Sequence, residues 1–292
     1  MKILLFGGGG QLGYELRTRA ADLEFEVVSP VAAEVDITDH AQVEQVTLSV
    51  RPDVVINCAA YTAVDKAEEE VEQSFRINRD GAGNIAEACA AAKARCIHVS
   101  TDYVFDGLLG RALREDDLTN PLSVYGRSKL EGEERVSSVL GDDALIVRTQ
   151  ALYGQKGVNF VYTMLKLFGE RDVVKVVDDQ WVSPTWAGWL GEALLDLARI
   201  NVGGILHASC EGTVSWFDFA CEIRRLALSH FEGKQVASVE RTTAAALSRP
   251  ATRPTFSAFD TSRITTVLGR PPMRWDDALE SFMREIHIVG AR

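Results

Sequence analysis

The sequence has no C-x-x-C pair, no H-E-x-x-H or similarly spaced histidines, no block of lysine and arginine, and no long apolar run. Each absence removes a class of function. The five cysteines (Cys58, Cys89, Cys96, Cys210 and Cys221) are odd in number, scattered and set among apolar neighbours, as in Asn57-Cys58-Ala59-Ala60. They read as reduced, buried thiols and not as disulfides or metal ligands, so no metal site is expected. A formal charge of −11 repels polyanions, and no basic, aromatic-rich patch overrides it locally, so nucleic acid is excluded as a partner. A nucleotide is not excluded, because a helix N-terminus binds phosphate without a basic protein around it. No stretch approaches the roughly 20 apolar residues of a membrane span, and Ile3-Leu4-Leu5-Phe6 is too short for a signal peptide. The expectation is a cytoplasmic protein with no membrane contact.

The chain has 292 residues, 46% hydrophobic and 25% charged, which suits a globular protein of one large domain or two unequal ones. From residue 1 to about 150, short apolar runs alternate with helical periodicity. That alternation predicts a parallel sheet with helices on both faces. The strands fall at Ile3–Phe6, Phe25–Ser29, Val54–Asn57, Ile97–Ser100 and Leu145–Arg148, with helices near 11–21, 39–50, 67–93 and 123–139. After residue 150 the alternation loosens into helices near 158–170, 185–199, 215–230 and 276–287, with extended pieces at Val173–Val177 and Ile205–His207. Residues 1–150 are therefore expected to form a dinucleotide-binding core. Residues 151–292 are expected to be mainly substrate-binding, with segments returning to the core. The run Arg249-Pro250-Ala251-Thr252-Arg253-Pro254 reads as an ordered surface loop.

Three motifs carry chemistry. Gly7-x-x-Gly10-x-x-Gly13 follows the first strand and opens a helix, the context a pyrophosphate loop requires. Gly7 takes the tight turn, Gly10 lets backbone approach the pyrophosphate, and Gly13 lets the helix pack on the strand. The second strand ends Val27-Val28-Ser29-Pro30, with neither an acidic residue to bind both ribose hydroxyls nor an adjacent arginine. NADPH is expected, with NADH tolerated. Asp36-Ile37-Thr38-Asp39 is rich in capping residues. Ser100-Thr101-Asp102-Tyr103 lies just past a central strand, where ligands bind in open α/β sheets. Tyr125 and Lys129 stand four residues apart behind Asn120-Pro121, which supplies a helix start. On a helix they share a face, so the ammonium is placed to favour the phenolate and lower a pKa that is ordinarily about 10. Such a phenol donates a proton near neutral pH.

Taken together, these residues resemble the extended short-chain dehydrogenase/reductases, and within them the sugar-nucleotide reductases of dTDP-L-rhamnose synthesis. The likeness runs through Thr62-Ala63-Val64-Asp65-Lys66, Ser100 to Gly107, Tyr125-Gly126 with Ser128-Lys129-Leu130, Arg148-Thr149 and Asp179-Gln180. The resemblance implies a Rossmann-type α/β fold, a doubly wound parallel sheet with a smaller C-terminal substrate-binding domain. It also implies NADPH-dependent reduction of the C4 keto group of a dTDP-4-keto-6-deoxyhexose, by a monomer or homodimer. Gly7, Gly10, Gln11, Leu12 and Gly13 would meet the pyrophosphate, Asp36 and Ile37 the adenine, and Ala59, Ala60 and Tyr61 the length of the cofactor. Thr101, Tyr125 and Lys129 would be catalytic, with Tyr125 and Lys129 also touching the cofactor, while Thr62, Val64, Thr101, Asp102 and Tyr103 would face the sugar nucleotide. Some relatives use a divalent ion, for which no ligand cluster is visible. Many carry a tryptophan where this chain has Ala151. Two other activities share the motifs. One is the regulatory beta subunit of methionine adenosyltransferase, and the other an epimerase or dehydratase that retains NAD.

Overall fold

The computed structural model describes residues 1–231 and 235–286. Five strands, β1 (Lys2–Phe6), β2 (Glu26–Val28), β3 (Val54–Asn57), β4 (Arg95–Thr101) and β5 (Ala144–Thr149), pair in parallel in the order β5-β4-β3-β1-β2. A sixth, Gly204–His207, joins in parallel outside β5. One edge of the sheet thus comes from the half of the chain expected to bind substrate. Ile3, Leu4, Leu5, Val55, Ile56 and Ile97 are fully buried, as strands covered on both faces require.

Helices α2 (His40–Val50), α5 (Gly81–Ala92) and α6 (Val124–Leu140) pack side by side on one face. α1 (Gln11–Ala20) packs with the Ala187–Arg199 helix. The chain leaves β1 toward β2 and later returns on its other side to β3, so the sheet order reverses at β1. That reversal opens a crevice at the carboxyl ends of β1 and β3, the ligand position of doubly wound sheets.

The helix expected over 67–93 is instead broken. It consists of α3 (Val64–Ala67), α4 (Val71–Phe75), a π-helical turn at Arg76–Asp80, and α5. The extra residue of the π turn accompanies an inward-facing Asn78. Its Oδ1 accepts from Tyr61 N at 2.8 Å, and its Nδ2 donates to Tyr61 O at 3.1 Å and to Ser128 Oγ at 2.9 Å. One amide thereby clamps the loop after β3 to α6. The start of α6 also differs from expectation. Its cap is Ser123, whose side chain accepts from Gly126 N at 3.1 Å, and not Asn120-Pro121.

In the second half, the Phe160–Glu170, Trp216–Ala227 and Trp275–Glu285 helices lie near their expected places, and His287 of the expected last helix lies outside the described residues. Val173–Val177 pairs in parallel with Ser238–Thr242, a strand too polar to stand out in the sequence. Leu12 and Leu16 of α1 share one buried cluster with Tyr153, Phe168, Phe219 and Phe282. The two halves therefore share a core, in which each fully buried Leu or Phe side chain contributes about 1.5–3 kcal/mol. An ion pair at 2.8 Å between Asp65 and Arg253 ties α3 to the Arg249–Pro254 segment. Among the described residues no helix is long and apolar enough to cross a membrane.

Candidate active site

The glycine loop divides its work unevenly. Gly7 has φ +81°, and a Cβ there would lie 2.5 Å from Ala59 N. At Gly13 a Cβ would lie 2.3 Å from Gly7 O. Both glycines are demanded by the protein itself, because the β1 turn, the β3 exit and α1 come within backbone contact. Gly9 has open space where its Cβ would be, and Gly10, the cap of α1, meets only Gly7 O at 3.3 Å. The space beside Gly9 and Gly10 is left for something other than protein, at a helix N-terminus that favours negative charge.

That space is part of a cleft of about 410 Å³ lined by Gly7 to Gly10, Val31, Asp36, Ile37, Ala59 and Ala60 among others. A dinucleotide fits this lining: glycine backbone at one end, apolar side chains for a flat base, and Ala59-Ala60 leading inward. Asp36 accepts from both the N–H and the hydroxyl of Thr38, each at 2.9 Å, which holds its carboxyl below the ordinary carboxylate value. The cap of α2 is Asp39. Five of the expected cofactor residues, Gln11, Leu12, Tyr61, Tyr125 and Lys129, do not present side chains to this cleft. Leu12 is buried in the core, Gln11 accepts from Asn159 at 3.1 Å, and the Tyr61 hydroxyl donates to Glu70 at 2.5 Å. Arg17, which the sequence hid nine residues beyond the glycine it serves, donates to Gly8 O at 3.3 Å, beside Ser29 just past β2.

At the carboxyl end of β4, Thr101, Asp102 and Tyr103 meet α6. The Thr101 hydroxyl donates to Asp102 Oδ1 at 3.1 Å and accepts from Tyr103 N at 3.2 Å, with Tyr125 nearby on α6. The rings of Tyr103 and Tyr125 meet edge to face at 5.4 Å. Burial pushes the Asp102 carboxyl up to about 6, against the hydrogen bonds from Ser257 and Thr101. Lys129 is 2% exposed and donates to Val99 O at 2.7 Å. Burial brings its ammonium down to about 8.

The expectation that Lys129 lowers the Tyr125 pKa is not met. Burial raises the phenol above its ordinary value, the nearby Thr101 hydroxyl opposes this, and the charges of Asp102 and Tyr103 add to it. The ammonium is instead committed to the β4 backbone. At neutral pH the phenol therefore holds its proton, the form a general acid needs.

On the other side of Tyr103 lie two adjoining clefts that share Tyr103, Trp216, Arg249 and Arg253. The larger is about 530 Å³ and includes Phe160, whose ring lies 4.6 Å from that of Trp216. The smaller, about 160 Å³, reaches Asp102, Gln180, Ser257 and Ala151. Ala151 has a left-handed φ of +43°, uncommon for a residue with a Cβ. The sequence reading missed Trp216, Arg249 and Arg253. Their only signal was two arginines in a proline-punctuated loop, with nothing to show that the loop folds back onto the sheet. Thr62 is exposed and Val64 begins α3, and neither lines these clefts.

Among the described residues no group of three or more His, Cys, Asp or Glu side chains is arranged to hold a metal ion. Glu15, Glu192 and Glu285 do converge, but on the guanidinium of Arg19, at 2.5, 3.1 and 3.6 Å.

The family model described as the RmlD substrate binding domain matches residues 1–288. A dTDP-4-dehydrorhamnose reductase of Aggregatibacter actinomycetemcomitans is 39% identical over 287 residues, covering 96% of this chain and 97% of that one. Its namesake in Streptomyces griseus is 42% identical over 286 residues, covering 96% and 92%. The crystal structure of dTDP-4-dehydrorhamnose reductase from Bacillus anthracis in complex with NADP superposes with a TM-score of 0.92 at 35% identity, covering 98% of this chain and 99% of that one.

Proposed function

The chain belongs to the RmlD substrate binding domain family, and on that footing we propose that it reduces the C4 keto group of a dTDP-4-keto-6-deoxyhexose with NADPH, converting dTDP-4-dehydrorhamnose to dTDP-L-rhamnose. The observation that carries this reading is the position of Tyr125. It stands in the first turn of α6 with its ring against that of Tyr103, and Tyr103 and Asp102, at the carboxyl end of β4, line the arginine-lined cleft.

The bound nicotinamide supplies the hydride. Tyr125 gives its proton to the oxygen that gains charge, and the Thr101 hydroxyl, held by Asp102 in the free protein, turns its one proton from that carboxylate to the same oxygen. The Lys129 ammonium places a positive charge at the cofactor side of the site. Arg249 and Arg253 match the pyrophosphate of a dTDP-sugar, and the rings of Trp216 and Phe160 offer apolar faces to its base and sugar. Trp216 also supplies aromatic surface to the cleft that Ala151 leaves open. Oxidation of NADPH in the presence of enzymatically generated dTDP-4-keto-6-deoxyhexoses, with products identified by NMR, tests the assignment. Failure to oxidise NADPH with any of them would end it.

The preference for NADPH rests on Arg17 and Ser29, which put a guanidinium and a hydroxyl at the end of β2. Arg17→Ala should weaken NADPH binding about tenfold and leave NADH binding nearly unchanged, since a charge-assisted hydrogen bond contributes about 1.5–3 kcal/mol, part of it lost to solvent at an exposed side chain. Titration of both cofactors by fluorescence reads the ratio, and equal losses for the two would remove Arg17 from this role.

The same groups set a pH dependence. The Asp102 carboxyl is raised to about 6, so it takes up a proton as pH falls through that value and no longer orients Thr101. Lys129 is lowered to about 8, so its positive charge is lost as pH rises through that value. The profile of kcat/KM, which reports the free enzyme, should be bell-shaped with limbs near these two values. A profile flat from pH 5.5 to 9.5 on this scale would contradict both assignments.

A further inference from the structure

Beneath the site runs a chain of hydrogen bonds that the reaction does not use directly. Asn57, at the end of β3, is 1% exposed, and its Oδ1 accepts from the peptide N–H of Ala59 at 3.0 Å. A peptide N–H is always a donor, so the amide orientation is set and Nδ2 must point the other way. It faces His98 Nδ1 at 3.0 Å. His98, on β4 and 1% exposed, must therefore accept at Nδ1. A neutral imidazole that accepts at one nitrogen carries its proton on the other, and Nε2 faces Lys129 Nζ at 3.4 Å. The chain that begins with a donor at Ala59 thus ends with a donor aimed at Nζ. An ammonium there has no lone pair to offer, whereas a neutral amine does.

We propose that Asn57 and His98 are positioning residues that weaken the hold of Lys129 on its proton, by fixing the imidazole as the tautomer whose N–H points at Nζ. This rests on the reductase reading for its functional meaning, since Lys129 is the cationic group of that site. The two flanking contacts agree with it. Ala59 lines the glycine-loop cleft, so the chain connects the cofactor wall to the lysine. Val99 O accepts from Nζ at 2.7 Å, a bond that an amine and an ammonium can both make.

The charged and titratable groups around Lys129 do not supply the effect in its place. Glu133, one turn on along α6, favours the ammonium but is paired with Arg148 of β5 at 2.7 Å. Cys58, past the end of β3, is kept a neutral thiol by burial. Tyr125, one turn earlier on α6, is also neutral, and Ser74 of α4 and Asn78 of the π turn, which hydrogen-bond Ser128 of α6, carry no charge. Glu68 accepts from Val124 N, while Arg79 with Glu131 and Arg135 with Glu87 are exposed pairs on the outer side of the helix. Burial acts in the same direction as His98, so the two must be separated by sign.

The separating substitution is His98→Leu. If burial alone sets the proton affinity of Lys129, replacing an imidazole by an apolar side chain leaves its titration midpoint unchanged or lowers it further. If the imidazole N–H is what opposes the ammonium, the midpoint rises, by about one pH unit for an interaction of the usual size. The midpoint is read from the ε-carbon of ¹³C-labelled lysine in the cofactor-free protein, and a matching upward movement of the alkaline limb of kcat/KM is expected. The tautomer is read without any substitution, from the ¹⁵N shifts of His98 in the wild type, with the proton expected on Nε2. A proton on Nδ1, or a midpoint in a folded His98→Leu protein that stays or falls, overturns the proposal. Because both NMR readings are made without substrate, they are independent of whether the protein reduces a keto sugar, which the NADPH assay decides separately.

Discussion

Tyr125→Phe is expected to lower kcat by about 10²–10⁴-fold, the usual contribution of a general acid, with NADPH affinity nearly unchanged. The substitution removes one hydroxyl and leaves the ring, so the edge-to-face contact with Tyr103 at 5.4 Å survives and α6 keeps its packing. What is lost is the proton donor beside Thr101. Burial without a facing ammonium holds the phenol protonated through the neutral range, so no other group near the keto oxygen offers a proton so readily. The Asp102 carboxyl, near 6, is largely ionised at neutral pH. Steady-state kinetics together with a separate cofactor titration makes the test. A variant retaining more than about a tenth of wild-type kcat would show that the proton comes from elsewhere.

Gly10→Val should abolish cofactor binding in a protein that still folds. Gly10 has φ −76°, an ordinary value for any residue, and a Cβ there meets only Gly7 O at 3.3 Å. The branched side chain would instead fill the space beside the N-terminus of α1, where backbone must approach the pyrophosphate. Gly13→Val is the contrast, because its Cβ would lie 2.3 Å from Gly7 O and 2.6 Å from Gly8 Cα, so it should damage the fold. Thermal melting with and without NADPH distinguishes the two. Gly10→Val should melt near the wild-type temperature and gain nothing from cofactor. A normal cofactor-induced rise in that variant would refute the role given to the loop.

Much of the nucleotide half could be read from the residue order, for a local reason. β1, β3 and β5 are short apolar runs buried on both faces, and Gly7-x-x-Gly10-x-x-Gly13 sits directly between a strand and the helix it opens. The relation of Thr101 to Tyr125 and Lys129 was legible because each is placed by its own element, the end of a strand and the first turns of a helix. Neighbours in sequence dominate such features, so periodicity and capping chemistry suffice. Folding settled whatever depends on distant segments meeting. The sixth sheet strand, the strand Ser238–Thr242, and the return of Trp216, Arg249 and Arg253 to the site all require contacts across long stretches of chain. Loops follow no period, and their side chains acquire a role only when the shared core brings the halves together. The electrostatics of Lys129 belong with them. Four residues of spacing placed it near Tyr125, but its proton affinity depends on Asn57, His98 and Val99, which join it through the sheet beneath, in surroundings where desolvation outweighs a single nearby charge.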